Sequence, residues 1–216
     1  MLQLTSRGAI AAPAALPVPL HDEFVARRCV RVTSLIEPRL LSQIQAQIAA
    51  AAFAHRAHGR ISTELCMERN ACLGLLNFLV NDPAVFRFVE QVTGCRGLSF
   101  FVGRVYRLIA GHGHYDSWHA DLHEDHDVGM SVNLGTEPFA GGVFEIRRAG
   151  TTLPLAAIAN VGPGDAILFA IADDLEHRVT PMRGSAPKTA LAGWFGTTRD
   201  YREVVGDAAW AAPAGR

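Results

Sequence analysis

The sequence predicts an α+β domain in which helices come first and β-strands follow. Helix caps and apolar residues spaced three to four apart occur between residues 34 and 94. From residue 98, short runs rich in β-branched and aromatic residues alternate with Gly, Pro and Asp. The chain has 216 residues, 49% of them hydrophobic, which is enough for a full core without disulfides or metal ions. This order predicts a C-terminal sandwich or jelly roll with the N-terminal helices packed on one sheet.

Residues 1–22 are predicted to form a flexible N-terminal arm. Pro13, Pro17 and Pro19 interrupt any helix in this segment. Together with Arg7 they also make it a poor secretory signal.

A first helix is predicted to begin at Ser34. Ser34 and Glu37 have the spacing of a capping box, and Pro38 follows in the first turn. An apolar stripe then predicts that the helix continues until Gly59. The stripe consists of Leu40, Leu41, Ile44, Ile48, Ala51 and Ala52.

A second helix is predicted between Asp82 and Gly94. Asp82 and Pro83 are typical of an N-cap and a first helical position, and Gly94 is typical of a helix end. Its apolar face consists of Val85, Phe86, Val89 and Val92.

The strands of the predicted jelly roll begin at residue 98. The runs that predict them are 98–109, 128–134, 142–147, 166–170, 177–182 and 189–198. We therefore predict a flexible arm followed by one domain over 23–216, with a helical layer over 23–97 and a jelly-roll core over 98–200.

Composition argues against several classes of protein. The 20 basic and 21 acidic residues give a net charge of −1 without a basic block, which disfavours a nucleic-acid binder. The four cysteines include no Cys-x-x-Cys pair, so a thiolate zinc site is not expected. No apolar window approaches the roughly 18 residues of a membrane span. A soluble protein in the reducing cytoplasm is the expectation.

Histidine is the unusual residue, because five of the nine lie between His112 and His126. Within this cluster, His119 and Asp121 are two positions apart, and side chains two apart on a strand emerge on one face. An antiparallel jelly roll can bring the later His177 beside them. Two His and one carboxylate on one side of a metal form the open arrangement of non-heme Fe(II) oxygenases.

Several motifs in order extend this pattern over residues 98–198. They are WHAD at 118–121, GGVF at 141–144, GDAILF at 164–169, HRVTPM at 177–182, and Lys188 followed by Trp194 and Phe195. In this combination the sequence resembles the 2-oxoglutarate/Fe(II)-dependent dioxygenases, and most of all their prolyl-4-hydroxylase-like branch.

The resemblance implies a double-stranded β-helix and an enzyme that uses Fe(II), 2-oxoglutarate and O2. It implies that His119, Asp121 and His177 are the iron ligands. It also implies a basic residue, some ten positions after the last ligand, that binds the far carboxylate of 2-oxoglutarate.

Lys188 and Arg183 compete for that basic position. If Gly184 and Ser185 form a two-residue hairpin turn, Pro181 lies opposite Lys188, and the lysine then faces the metal side. Arg183 also faces that side in this register but lies farther out, so Lys188 is favoured.

The family often adds a tyrosine that binds the same carboxylate. Tyr106, on the predicted strand before His119, is the candidate, and Tyr115 is its rival. The alternative interpretation of Tyr106 is a core aromatic residue whose hydroxyl is satisfied locally.

The other cluster residues are interpreted as solvated loop residues that could still contact the substrate or the ligands. They are His112, His114, His123, Glu124, Asp125, His126 and Asp127. A zinc protease is excluded because the chain contains no His-Glu-x-x-His.

The resemblance implies oxidative decarboxylation of 2-oxoglutarate to succinate and CO2, coupled to hydroxylation of a C–H bond. Halogenating members of the family lack the carboxylate that Asp121 supplies, so its presence favours hydroxylation. A small molecule, an amino acid or a peptidyl residue could be the substrate, and the oligomeric state is not predicted. Two alternatives stay open: a cupin-like metalloenzyme that does not use 2-oxoglutarate, and a non-catalytic jelly-roll binding protein.

Overall fold

The fold is an antiparallel β-structure with helices on one side. A computed structural model describes residues 2–11, 18–123, 126–159 and 161–198. The helices in these ranges are α1 Val18–Arg27, α2 Pro38–Ala49, α3 Ala71–Val80 and α4 Pro83–Thr93. The first strands are β1 Leu2–Thr5, β2 Gly8–Ala11, β3 Cys29–Val32, β4 Phe53–His58 and β5 Ser62–Met67. The later strands are β6 Phe100–Leu108, β7 Tyr115–His119, β8 Val128–Asn133, β9 Ala140–Gly141, β10 Phe144–Arg148, β11 Ala156–Ile158, β12 Ala166–Ala170, β13 Leu175–Val179, β14 Met182–Arg183 and β15 Lys188–Gly196.

Two groups of four strands wind around each other. Strands β6, β15, β8 and β12 are hydrogen-bonded in that order, and so are β7, β13, β10 and β11. Along the chain, β6, β8, β12 and β15 of the first group alternate with members of the second. This winding is a double-stranded β-helix, as the sequence predicts. Strand β5 pairs with both β6 and β7 and so joins the two groups, and β3 extends the first group beyond β12.

The helices cover the outer face of the first group, also as predicted. Buried side chains of α2, α3 and α4 share one apolar cluster with Phe101, Val105 and Phe195 of β6 and β15. Two asparagines add polar contacts: Asn77 bonds the N–H and C=O of Gly103, and Asn81 bonds those of Phe101. Buried backbone groups of β6 are thereby satisfied by side chains of the helix layer.

The N-terminal segment differs from the predicted flexible arm. Strands β1 and β2 form a hairpin, and Leu2 and Leu4 are each 1% exposed in the core. Helix α1 then contains Pro19 in its first turn, where a proline removes no needed hydrogen bond. The prediction is therefore wrong for the described residues up to 22; residues 12–17 lie outside them. The prolines favoured a flexible arm. Leu2 and Leu4 are two positions apart, however, and so point to one face of a strand.

The predicted first helix starts and ends differently. It begins at Pro38, but Glu37 is the N-cap and accepts a hydrogen bond from the N–H of Ser6 instead of completing a capping box. Ser34 lies outside the helix at a φ of 53°. The helix ends at Ala49, and the predicted continuation toward Gly59 is instead strand β4, because those residues pair with β5 in a hairpin.

The second predicted helix is confirmed as α4. Asp82 caps it by accepting from the N–H of Ala84, and Gly94 ends it with a left-handed φ of 82°. Phe88 is the buried phenylalanine of this helix, whereas the prediction placed Phe86 on the buried face. Phe86 packs edge-on against Phe195. Helix α3 and strands β3, β5 and β7 were not predicted. No single helix among the described residues is long and apolar enough to cross a membrane; α3 and α4 qualify only as a pair bent by 57°.

Candidate metal centre and its cavity

The structure brings His119, Asp121 and His177 together. His119 ends β7 and lies directly opposite His177 on β13, with the two rings 4.3 Å apart. Asp121 follows two residues after the strand ends, and its Oδ1 and Oδ2 lie 3.4 Å from Nε2 of His119 and of His177. One ligand atom from each residue lies within 4.8 Å of the others. The donor set and its spacing can hold a metal ion.

The orientation of His119 fits a metal ligand. Its Nδ1 lies 2.8 Å from the carbonyl oxygen of Ser117, so Nδ1 carries the proton that is donated there. That leaves Nε2, which faces Asp121, as the ligand atom. A hydrogen bond of this kind fixes the ring and raises the basicity of a metal-binding histidine.

Electrostatics couple the three residues when no metal is present. Burial opposes ionisation of Asp121, but the hydrogen bonds and charges of His119 and His177 outweigh it and hold the pKa of Asp121 well below its usual value. Burial also disfavours protonation of His119, yet Asp121 and Asp116 raise the pKa of His119 to about 9. The carboxylate of Asp121 thus favours a positive charge next to it, and a bound metal ion would supply that charge.

Trp194 orients the carboxylate from behind. Its indole N–H donates a 2.7 Å hydrogen bond to Oδ2 of Asp121. The ring of His126 stacks on Trp194 at 4.4 Å, and Nδ1 of His126 lies 3.0 Å from the backbone oxygen of Asp121. His126 is thus a partly buried loop residue that contacts the metal-binding segment, the second of the two roles considered for it from sequence. Glu124 and Asp125 lie outside the described residues.

The triad opens into a cavity of about 310 Å³. Apolar and aromatic side chains form much of its wall, and the rings of Phe144 and Phe169 lie 5.9 and 4.6 Å from that of His177. A cavity of this size and character is within the range that holds small ligands.

Lys188 is buried in the wall of this cavity. It is 6% exposed and is the only lysine in the chain, and its Nζ donates to the carbonyl oxygen of Gly142 at 2.9 Å. Burial lowers the pKa of Lys188 to about 8, with Asp116 acting in the opposite direction. Within the described ranges, no carboxylate forms an ion pair with Lys188.

The structure corrects the geometry predicted for Lys188. Its partner across the sheet is Leu108 of β6, and not Pro181. The turn at Gly184 leaves β14, which pairs with β9, and enters β15, which pairs with β6 and β8. No hairpin forms there because β13 and β15 belong to different strand groups. Arg183 is exposed and is absent from the cavity wall.

The two candidate tyrosines occupy different places. Tyr106 is buried, and it lies on β6 two residues from Leu108, the partner of Lys188, so it shares a face with the lysine. Burial raises the pKa of Tyr106 above its usual value, and a hydrogen bond with Ser131 partly opposes this. Tyr115 is 38% exposed and lines the outer part of the wall. Tyr106 is thus the tyrosine beside the buried lysine.

A buried ion pair that sequence reasoning missed forms another part of the wall. Arg104 donates to both carboxylate oxygens of Glu64, at 2.6 and 3.1 Å, and His58 lies 3.4 Å from Glu64. Burial raises the pKa of Glu64, but Arg104 outweighs it and lowers the pKa to about 2. Arg104 and Tyr106 are two positions apart on β6, so both side chains point to one face. This spacing is the sequence signal that could have placed Arg104 in the same cavity wall as Tyr106.

Comparison with known proteins gives a match in structure alone. No family model matches the sequence, and no curated protein matches it. Among solved structures, a 2OG-Fe(II) oxygenase family oxidoreductase from Burkholderia pseudomallei has a TM-score of 0.65 at 16% identity, covering 93% of this chain and 98% of that one. A prolyl-4-hydroxylase from Pseudomonas putida has a TM-score of 0.61 at 16% identity, covering 86% and 100%. A prolyl hydroxylase from Trichoplax adhaerens, solved with a peptide fragment of hypoxia inducible factor, has a TM-score of 0.60 at 12% identity, covering 87% and 91%. The resemblance stated from the sequence motifs is thus confirmed at the level of the fold.

Proposed function

We propose that this protein is a Fe(II)- and 2-oxoglutarate-dependent dioxygenase that hydroxylates an unactivated C–H bond. The observation that carries the proposal is the pairing, in one cavity, of a two-histidine, one-carboxylate cluster with a buried lysine that lacks an acidic partner. His119, Asp121 and His177 would hold the iron. Lys188 would bind the far carboxylate of 2-oxoglutarate, with Tyr106 beside it.

The donor set suits iron that must also bind a co-substrate. Three protein ligands on one side leave other coordination positions open. When bound, iron would let O2 act as the oxidant, with 2-oxoglutarate as co-reductant: one oxygen atom would enter succinate as CO2 is released, and the other would enter the hydroxylated C–H bond.

The state of Lys188 supports 2-oxoglutarate as co-substrate. A buried ammonium bonded only to a carbonyl oxygen has exchanged water for a weak partner, and this is why its pKa falls. A carboxylate in the cavity would replace that contact with a charge-assisted hydrogen bond, which is about twice as strong as a neutral one. The ammonium group of Lys188 is therefore expected to bind an anionic ligand in the cavity.

The remaining residues hold and shield the site. The hydrogen bond from Trp194 keeps one oxygen of Asp121 in place while the other faces His119. The rings of Phe144 and Phe169 pack against His177 and keep water from that side. These contacts position the reacting groups and leave the chemistry to the cofactor.

The substrate is an amino acid, a peptidyl residue or a small molecule. The neighbour from Trichoplax adhaerens was solved with a peptide, and the Pseudomonas putida neighbour is a prolyl-4-hydroxylase. Both support a substrate of this class. The cavity volume of about 310 Å³ fits one side chain or one small metabolite beside the co-substrate.

Anaerobic addition of Fe(II) and then 2-oxoglutarate tests the proposal. We expect a visible charge-transfer band that requires both additions, is lost in His119→Ala, and in Lys188→Ala needs at least tenfold more 2-oxoglutarate. Arg183→Ala is the matched control, because it removes an exposed cation outside the cavity. Folded protein that gives no band would contradict the proposal. A band with wild-type 2-oxoglutarate dependence in Lys188→Ala would overturn the role of the lysine.

A further inference from the structure

A β-bulge in the first ligand strand turns Asp116 into the cavity. Between β13 and β7, His177 pairs with His119 and Val179 pairs with Asp116. Two steps along β13 therefore match three along β7, so β7 carries one extra residue. Without it, Asp116 would point to the opposite face from His119, because the two are an odd number of residues apart. Bulges of this kind re-aim side chains next to functional sites, and Asp116 lines the cavity.

Asp116 is not needed for the orientation of His119. Its Oδ1 lies 3.5 Å from Nδ1 of His119, which is too long for a hydrogen bond. That Nδ1–H is already donated to the carbonyl oxygen of Ser117 at 2.8 Å.

Among the described residues of the cavity wall, Asp116 is the charged group that lacks a partner of opposite charge once metal and 2-oxoglutarate are bound. Glu64 is paired with Arg104, and Asp121 belongs to the metal centre. A divalent metal ion and dianionic 2-oxoglutarate would cancel each other, and the positive charge of Lys188 would offset that of Asp121. The loaded cavity then keeps an excess of one negative charge, that of Asp116.

Apart from His123, the exposed residues that line the cavity are large and apolar. Three of its lining residues are large hydrophobic side chains that stay exposed: Ile61 at 43%, Tyr115 at 38% and Leu122 at 56%. Exposed apolar groups gathered around a concave site mark a binding surface. A rim of this kind around a partly buried carboxylate is complementary to a cation carried on an apolar chain.

We propose that Asp116 binds an alkylammonium group of the substrate, whose apolar part contacts Ile61, Tyr115 and Leu122. The substrate class is therefore an amine-bearing molecule or side chain. Oxidation of that substrate rests on the proposed function, whereas binding of the cation to Asp116 does not. Asp116 is then the residue that determines specificity by charge.

Ligand-observed NMR with butylammonium tests the assignment, with butanol and butyrate as neutral and anionic probes of similar size. The protein is loaded with Zn(II) and saturating 2-oxoglutarate, so that Lys188 is occupied and no turnover occurs; a second sample is metal-free. We expect saturable binding of butylammonium to the loaded sample, with about tenfold weaker binding of butanol and of butyrate. In the metal-free sample, His119 and Lys188 offset the charges of Asp121 and Asp116, so we expect weaker binding that is still lost in Asp116→Asn.

The variants separate charge from packing. Asp116→Asn is expected to weaken butylammonium binding about tenfold or more, whereas Asp116→Glu retains the preference for the cation. Asp173→Asn, which removes an exposed aspartate outside the cavity wall, leaves binding unchanged. Thermal melting checks that each variant is folded.

Two results would overturn the proposal: no saturable binding of butylammonium to the wild type, or equal binding in folded Asp116→Asn. Failure of the proposed function is seen separately, because the resonances of 2-oxoglutarate in the same sample report whether it binds. The metal-free sample still tests Asp116 in that case.

Discussion

The indole Nε1 of Trp194 lies 2.7 Å from Oδ2 of Asp121, so a side chain from β15 fixes the carboxylate of the candidate metal centre. In the absence of this bond, only His119 and His177 would hold the carboxylate of Asp121. The hydrogen bond therefore prepares the site before any metal binds.

We expect Trp194→Phe to weaken metal binding by 10- to 100-fold, the usual cost of removing a partner of a metal ligand. Competition with a chromogenic chelator measures the affinity. Trp118→Phe is the control, because Trp118 packs against the guanidinium groups of Arg147 and Arg178 and does not line the cavity. Equal losses in the two variants would show that the effect is not specific to the bond with Asp121.

Because Lys188 is the only lysine, its reactivity can be followed by mass spectrometry of the whole protein. Its pKa of about 8 is below the ordinary 10.5, so acylation by a small amine-reactive reagent should rise with pH around 8, as the neutral amine forms. With Zn(II) present, 2-oxoglutarate is expected to suppress the reaction. Peptide mapping distinguishes Lys188 from the N-terminal amine, and a midpoint above 10 or a lack of protection would contradict the assignment.

Glu64→Gln is expected to destabilise the protein by about 3–5 kcal/mol, because Arg104 would keep a buried charge without its carboxylate. Chemical denaturation measures the loss. The exposed pair of Glu23 with Arg27 supplies the control: Glu23→Gln should cost at most about 0.5 kcal/mol.

The same ion pair predicts a dependence on pH. The pKa of Glu64 is lowered from 4.5 to about 2 in the folded state, so its contribution to stability is complete above pH 4.5 and is lost as the pH falls toward 2. Denaturation at a series of pH values should show a smaller loss in Glu64→Gln than in the wild type over this window. Parallel curves would contradict it.

Gly129→Ala is expected to destabilise the protein by about 1–3 kcal/mol. A Cβ at this position would lie 2.0–2.6 Å from ring atoms of Phe169, which is itself packed on His177. Displacement of the ring should also weaken metal binding. Gly74→Ala is the control: its Cβ meets nothing within 4 Å in helix α3, so a gain of about 0.5–1 kcal/mol is expected in thermal or chemical unfolding.

The parts of the site that were predictable from sequence depend on local spacing. His119 and Asp121 are two residues apart, so their shared face follows from spacing alone. His177 was added by the resemblance to the dioxygenase motifs, and the structure places it opposite His119. Helix α4 was likewise predictable from local spacing, since Asp82 and Gly94 act on their own neighbours.

The parts that were not predictable depend on pairing between distant strands. Lys188 reaches the cavity, but through a partner on β6 that no turn in the sequence specifies. Asp116 is brought to the site by an extra residue in β7, which reverses the parity that alternation would give. The contact of His126 with Trp194 likewise joins a loop to a strand 68 positions later, too far along the chain for local patterns to show.

Strand β5 holds the ligand strand β7 in place. It pairs with β4 along one edge and with both β7 and β6 along the other, so β7 lies between β5 and β13 and is not a free edge of the sheet. The opposite border of the sheet, at β11 and β3, lacks such a bridge among the described residues. Relative motion of the two strand groups should therefore be smallest near β5, beside the ligand strand β7, and largest at β11 and β3.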